Sequence, residues 1–235
     1  MTGLEPVAYS HGATALTGRL AQPAGAPRAA IVLFPTIANA NAPMERRARL
    51  LAEAGYLAMI ADFYGETPGD PAAVRALADA LRADTAHYRA RLATAVAALR
   101  AHPAAAGLPL AAIGYCMGGQ AALEAARDGQ DLIAAISFHG ILETGQAAVP
   151  GAIRARLLVC HGDADPLVPR GQVIAFWEEM DRAGAQWHFH AYSGVKHGFT
   201  DPGSDARGIA AIAYDASADR QSWSAMLGLL DEILG

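Results

Sequence analysis

Two hydrophobic patterns alternate along this chain. Short runs at Ala29–Phe34, Leu57–Ala61, Leu110–Tyr115, Ile133–Phe138 and Leu157–Cys160 are apolar throughout, as parallel strands covered on both faces require. A further strand is expected at Trp187–Tyr192. Between these runs lie segments with helical character: Pro43–Ala54, an unbroken Ala/Leu/Arg segment Pro71–Ala101, Gly118–Arg127, Pro169–Ala183 and Ser217–Leu234. Pro43, Pro71 and Pro169 suit first-turn positions, and Gly55, Gly129 and Gly184 suit stops. Ahead of the first apolar run, Val7–Ser10 and Thr14–Leu20 flank His11-Gly12 and predict an antiparallel hairpin. The expected class is α/β, with a mostly parallel central sheet between helix layers and ligand chemistry at the carboxyl ends of the strands.

Composition narrows this picture. Of 235 residues 53% are hydrophobic and 17% charged, which excludes bulk disorder, and the length suits one domain spanning residues 1–235. The apolar excess is largely 56 alanines, and 17 Arg stand against the single Lys196, a skew that reflects coding bias more than function. The net charge of −5, with scattered basic residues, argues against a nucleic-acid partner. No apolar run reaches the roughly 18 residues of a membrane helix, and Met1–Pro6 lacks a basic n-region and an apolar h-region, so a cytoplasmic protein with no membrane partner is expected. In that setting Cys116 and Cys160 are expected to be reduced thiols.

One of those thiols sits in a distinctive turn. After the strand Leu110–Tyr115 the chain reads Gly114-Tyr115-Cys116-Met117-Gly118-Gly119 and enters an Ala-rich helix, the pattern of a nucleophile elbow with Cys in place of Ser. The tight reversal strains the central residue and lifts its side chain above the sheet, at a helix N-terminus that favours thiolate. Two other readings stand beside this one. Cys116 is a small packing residue in the first, and in the second the turn belongs to a nucleotide- or small-ligand-binding α/β protein with a non-catalytic Cys116. Glycines at 114, 118 and 119 do not spell G-x-G-x-x-G, and the turn follows the third βα strand rather than opening the array.

Downstream segments supply partners for a thiol nucleophile. His161-Gly162-Asp163-Ala164-Asp165-Pro166-Leu167-Val168-Pro169 ends one strand, and Lys196-His197-Gly198-Phe199 follows another. The order Cys116, Asp165, His197 is that of the α/β-hydrolase arrangement, in which His takes the nucleophile's proton and the carboxylate fixes its tautomer. Asp165 is favoured as the acid, and Asp163 is expected to bond the turn backbone.

The elbow, the His-Gly-x-x-Asp-Pro-x-Val-Pro segment and the His-Gly-Phe segment together resemble the dienelactone hydrolase family, from about Arg28 to the C-terminus. The resemblance implies an α/β-hydrolase fold and a Cys116-His197-Asp165 triad that cleaves a small ester or lactone through a thioester. It also implies an oxyanion hole of the Met117 and Ile37 backbone N–H groups. Thr36, Tyr115, His139, Phe199 and Asp201 are expected around the pocket, with no metal and no cofactor. Two positions depart from the family. Thr36 stands where members carry a Glu that helps activate the thiol, and Asp201 stands where an Arg binds the dienelactone carboxylate. A carboxylate at 201 is expected to repel anionic substrates. His188 and His190 share a strand face without a third ligand at metal-site spacing. His161 ends a strand near the expected site edge, His87 and Tyr88 are candidate pocket-wall residues by analogy alone, and Trp177, Trp187, Trp223 and Cys160 read as packing.

Overall fold

A computed structural model of the chain describes residues 4–67 and 69–235. Met1–Gly3, which open the N-terminal stretch read above for a leader, and Pro68 lie outside the described residues. The strands are β1 (Glu5–His11), β2 (Thr14–Ala21), β3 (Ala30–Phe34), β4 (Leu57–Ile60), β5 (Leu110–Tyr115), β6 (Ala134–Phe138), β7 (Arg156–Gly162) and β8 (Trp187–Tyr192). The helices are α1 (Ala42–Glu53), α2 (Pro71–Arg82), α3 (Thr85–Ala101), α4 (Met117–Arg127), α5 (Arg170–Ala183) and α6 (Ala216–Leu234). The strand order is β1-β2-β4-β3-β5-β6-β7-β8, an eight-stranded, mostly parallel sheet of the α/β-hydrolase class. No helix among the described residues is long and apolar enough to cross a membrane.

The chain divides into two compact units, the first ending at Ala112 and the second starting at Ile113, so β5 passes through the division. In the first unit the predicted hairpin pairs Tyr9 with Leu16 and His11 with Thr14, β2 joins β4 antiparallel, and β3 joins β4 in parallel. Every residue of β3 and β4 is buried, which requires cover on both faces and explains why their sequences do not alternate.

Polar caps decide where the helices begin. Asn41 Oδ1 accepts the Met44 N–H at 3.1 Å to open α1, and Asp70 Oδ1 accepts those of Ala72 and Ala73 at 2.9 Å to open α2. The segment Pro71–Ala101, expected as one helix, is two. Asp84 leaves the helical region with φ −118° and ψ 110°, and its carboxylate accepts the amides of Ala86 and His87 to start α3. An interior Asp competes with the helical backbone for these donors, and here the cap wins.

In the second unit β6, β7 and β8 run parallel, with Phe138 opposite Cys160 and Cys160 opposite His190. β6 is wholly buried, whereas the side chains of β8 are half-buried or exposed, as suits an edge strand. Strand β7 continues past the predicted end at Cys160 to Gly162, and Pro169 caps α5 rather than lying inside it. A charged cluster crosses this core: Arg127 donates to Glu124 at 2.9 Å, to both carboxylate oxygens of Glu179 at 2.9 and 2.7 Å, and to the Leu142 carbonyl at 2.8 Å. The Arg127 side chain has no exposed surface, so its charge is balanced entirely by these neighbours.

Candidate active site

The reversal from β5 into α4 places Cys116 at φ 57° and ψ −119°, a backbone conformation that a residue with a side chain occupies only under strain. Two glycines permit the turn. A Cβ at Gly114 would lie 1.7 Å from the Gly118 carbonyl oxygen, and one at Gly119 would lie 2.7 Å from the Gly140 Cα. Cys116 is half-buried, and it caps a helix whose first residue is Met117. The Met117 backbone therefore stands at the N-terminus of α4, directly after the thiol.

The Asp165 and His197 side chains meet in the same unit. Asp165 Oδ2 lies 2.7 Å from His197 Nδ1, while Asp165 Oδ1 accepts the Leu167 N–H at 2.8 Å. The two carboxylate oxygens therefore have different tasks, one anchored to the turn and the other to the imidazole. The His197 backbone is also held from both sides, its N–H donating to the Ala211 carbonyl and its own carbonyl accepting the Ala213 N–H. Burial lowers the pKa of His197, but the charge of Cys116 and the hydrogen bond to Asp165 outweigh it and push it up to about 10. The Cys116 side chain raises the proton affinity of this ring both through its charge and through a hydrogen bond.

The neighbouring acid behaves differently from expectation. Asp163 does not bond the turn backbone; its carboxylate takes a two-pronged contact from Arg170, at 2.9 and 2.6 Å, which lowers its pKa. A planar guanidinium at the start of α5 matches the carboxylate better than the turn amides do. Asp165, not Asp163, is the acid beside the imidazole.

Three pocket candidates cluster with the dyad. The His139 ring lies 5.0 Å from that of His197 and 5.2 Å from that of Phe199, both edge-on, and 6.0 Å from Tyr115. Asp201 lies four residues past His197, but its carboxylate is engaged: Oδ1 accepts the Gly203 N–H at 2.9 Å and Oδ2 pairs with Arg207. Thr36 and Ile37 belong to the first unit, in the turn after β3, where the Thr36 carbonyl accepts the Asn39 N–H and the Ile37 carbonyl accepts the Tyr64 hydroxyl at 3.0 Å.

The remaining histidines and thiol are disposed as follows. His161 is buried, neither ring nitrogen has a hydrogen-bond partner among the described residues, and burial lowers its pKa despite the nearby Asp165 and Asp163. His188 and His190 project from the exposed face of β8. His87 is exposed and its ring lies tilted against that of His11, whereas Tyr88 is buried near Phe63. Cys160 is fully enclosed, and burial pushes its thiol up to about 12, which disqualifies it as a nucleophile at neutral pH. Sequence reasoning missed the segment Ala211–Ala213 that braces His197, because no periodicity marks it.

Comparison with known proteins gives one consistent picture. The model of the dienelactone hydrolase family matches residues 16–234. A solved dienelactone hydrolase-like promiscuous phosphotriesterase from metagenomic libraries is 38% identical, with a TM-score of 0.93 over 98% of each chain. An uncharacterized protein of Caenorhabditis elegans is 39% identical over 145 residues, 60% of this chain and 91% of that one. A probable 2-oxo-3-(5-oxofuran-2-ylidene)propanoate lactonase of Bradyrhizobium is 29% identical over 195 residues, covering 77% and 78% of the two chains.

Proposed function

Since the chain belongs to the dienelactone hydrolase family, we propose that it hydrolyses a small neutral ester or lactone, with Cys116 as nucleophile, His197 as its base and Asp165 orienting the imidazole. The observation that carries this reading is the buried 2.7 Å contact between Asp165 and a His197 whose proton affinity is raised by the charge of Cys116.

The reaction runs in two halves. His197 holds the proton that Cys116 gives up, and the thiolate attacks the substrate carbonyl to form a tetrahedral oxyanion. The Met117 N–H stabilises that oxyanion, a type of contact worth about 3 kcal/mol in the transition state. Ile37, the second donor the resemblance implies, belongs to the first unit. The C–O bond then breaks, His197 returns its proton to the departing alkoxide, and a thioester remains on Cys116. In the second half His197 takes a proton from water, the hydroxide attacks the thioester, and the acid leaves as the thiolate re-forms. Asp165 keeps Nε2 of His197 available to the sulfur by holding the proton on Nδ1.

A neutral substrate is favoured because Asp201 engages Arg207, so that guanidinium is not free to anchor an acid. The activity in the name of the 38%-identical relative makes phosphotriesters a second class to assay. Turnover of a chromogenic acetate ester by the wild type and by Cys116→Ala tests the proposal. Loss of at least about 10³-fold in the variant is expected, and an unchanged rate refutes the assigned nucleophile.

A further inference from the structure

His139 touches three parts of the second unit: β7, the Cys116 turn and the loop carrying His197. Its backbone N–H donates to the Cys160 carbonyl at 2.8 Å, so the residue is fixed to β7 one step past the end of β6. Its φ is 41°, and with Asn39 and Cys116 it completes the non-glycine residues described at positive φ. The side chain, 3% exposed, is engaged at both nitrogens. Nδ1 receives the backbone N–H of Cys116 at 3.1 Å, and Nε2 lies 2.9 Å from the Thr200 hydroxyl. Because Nδ1 accepts, the neutral ring carries its proton on Nε2 and donates it to Thr200.

The two ends of this ring touch the two halves of the proposed chemistry. The Cys116 N–H belongs to the peptide that orients the nucleophile, and it is shared between His139 Nδ1 and the Phe138 carbonyl at 3.0 Å. Thr200 stands three residues past His197 on the same loop. We propose that His139 is a positioning residue, a strut that ties the Cys116 backbone to the loop carrying His197 and so fixes how the sulfur meets the imidazole. The proposal rests on the function proposed above. It assigns His139 no contact with the reacting atoms; its effect passes through Cys116 and His197.

Paired substitutions separate this role from simple packing. His139→Asn keeps an acceptor at the position of Nδ1 but cannot reach Thr200, and Thr200→Val removes the other end of the same bond. Each is expected to lower kcat about tenfold, as small misplacements of reacting groups do, with KM changed less than about threefold. The double variant is expected to be no slower than either single one, since both remove one interaction. His139→Leu, which loses both ends, is expected to fall about a hundredfold. The pH midpoint for iodoacetamide labelling of Cys116, read with no substrate present, is expected to rise in every variant.

Wild-type kcat and an unmoved labelling midpoint in folded Thr200→Val, or losses that add in the double variant, would overturn the strut. If His139→Leu does not fold, His139→Asn and Thr200→Val decide alone. Wild-type turnover by Cys116→Ala would instead overturn the proposed function. A dead Cys116→Ala beside unperturbed His139→Asn and Thr200→Val overturns only the positioning role.

Discussion

Asp165 Oδ2 stands 2.7 Å from His197 Nδ1, and the side chains are 0% and 3% exposed. A charge-assisted hydrogen bond in such shelter holds the imidazole in one tautomer and one orientation. Asp165→Asn preserves the shape but not the tautomer. It is expected to lower kcat by about 10³- to 10⁴-fold with little change in KM, as measured by steady-state ester hydrolysis.

The charge of Cys116 is the largest influence raising His197 toward about 10. Removing it leaves burial less opposed, so Cys116→Ala is expected to lower the His197 pKa in an NMR titration of the imidazole. The sign carries over to stability. A His raised on folding contributes fully below its unfolded value of 6.5 and loses that contribution as pH rises through about 10. Because Cys116 must be ionised to hold His197 up, its own titration offsets this slope below the free thiol value of about 8.5, so urea denaturation of the wild type is expected to show the fall as pH approaches about 10, and Cys116→Ala to flatten it. An unshifted His197 in the variant contradicts the coupling.

Asp201 holds Arg207, so the loop beyond His197 presents a neutral pair. Neutral esters are expected to have a higher kcat/KM than anionic lactones in a competitive screen. Asp201→Asn releases Arg207 and is expected to raise kcat/KM for the anionic substrates by roughly two- to fivefold, the scale of a partly exposed charge pair. A wild-type preference for anionic lactones runs against this account.

Arg127 is the centre of the buried cluster with Glu124 and Glu179. Arg127→Leu strands two carboxylates in the core and is expected to cost about 3–5 kcal/mol of folding stability, read as a shift in denaturation midpoint. Removing all three charges together with apolar residues of similar volume is expected to recover most of that loss.

The sequence and the structure agree where the signal is local. Strands β3 to β6 were legible because buried parallel strands are apolar throughout, and the elbow was legible because Gly114 must clear the Gly118 carbonyl. The break between α2 and α3 was not, since the Ala/Leu/Arg pattern runs through it and the stop depends on where the Asp84 carboxylate points. The partner of Asp163 is not legible locally, because Arg170 lies seven residues away on the next helix. The bond from Cys116 to His139 spans 23 residues and joins two residues at positive φ, which no periodicity encodes.

The proposed reaction passes through a covalent thioester at Cys116. Acid quench of the enzyme during turnover of an acetate ester, followed by intact-mass and peptide mapping, measures it directly. One acetyl increment on the peptide carrying Cys116, absent in Cys116→Ala, is the predicted result. Unmodified protein during active turnover, with Cys116→Ala hydrolysing the ester as fast as the wild type, would contradict it.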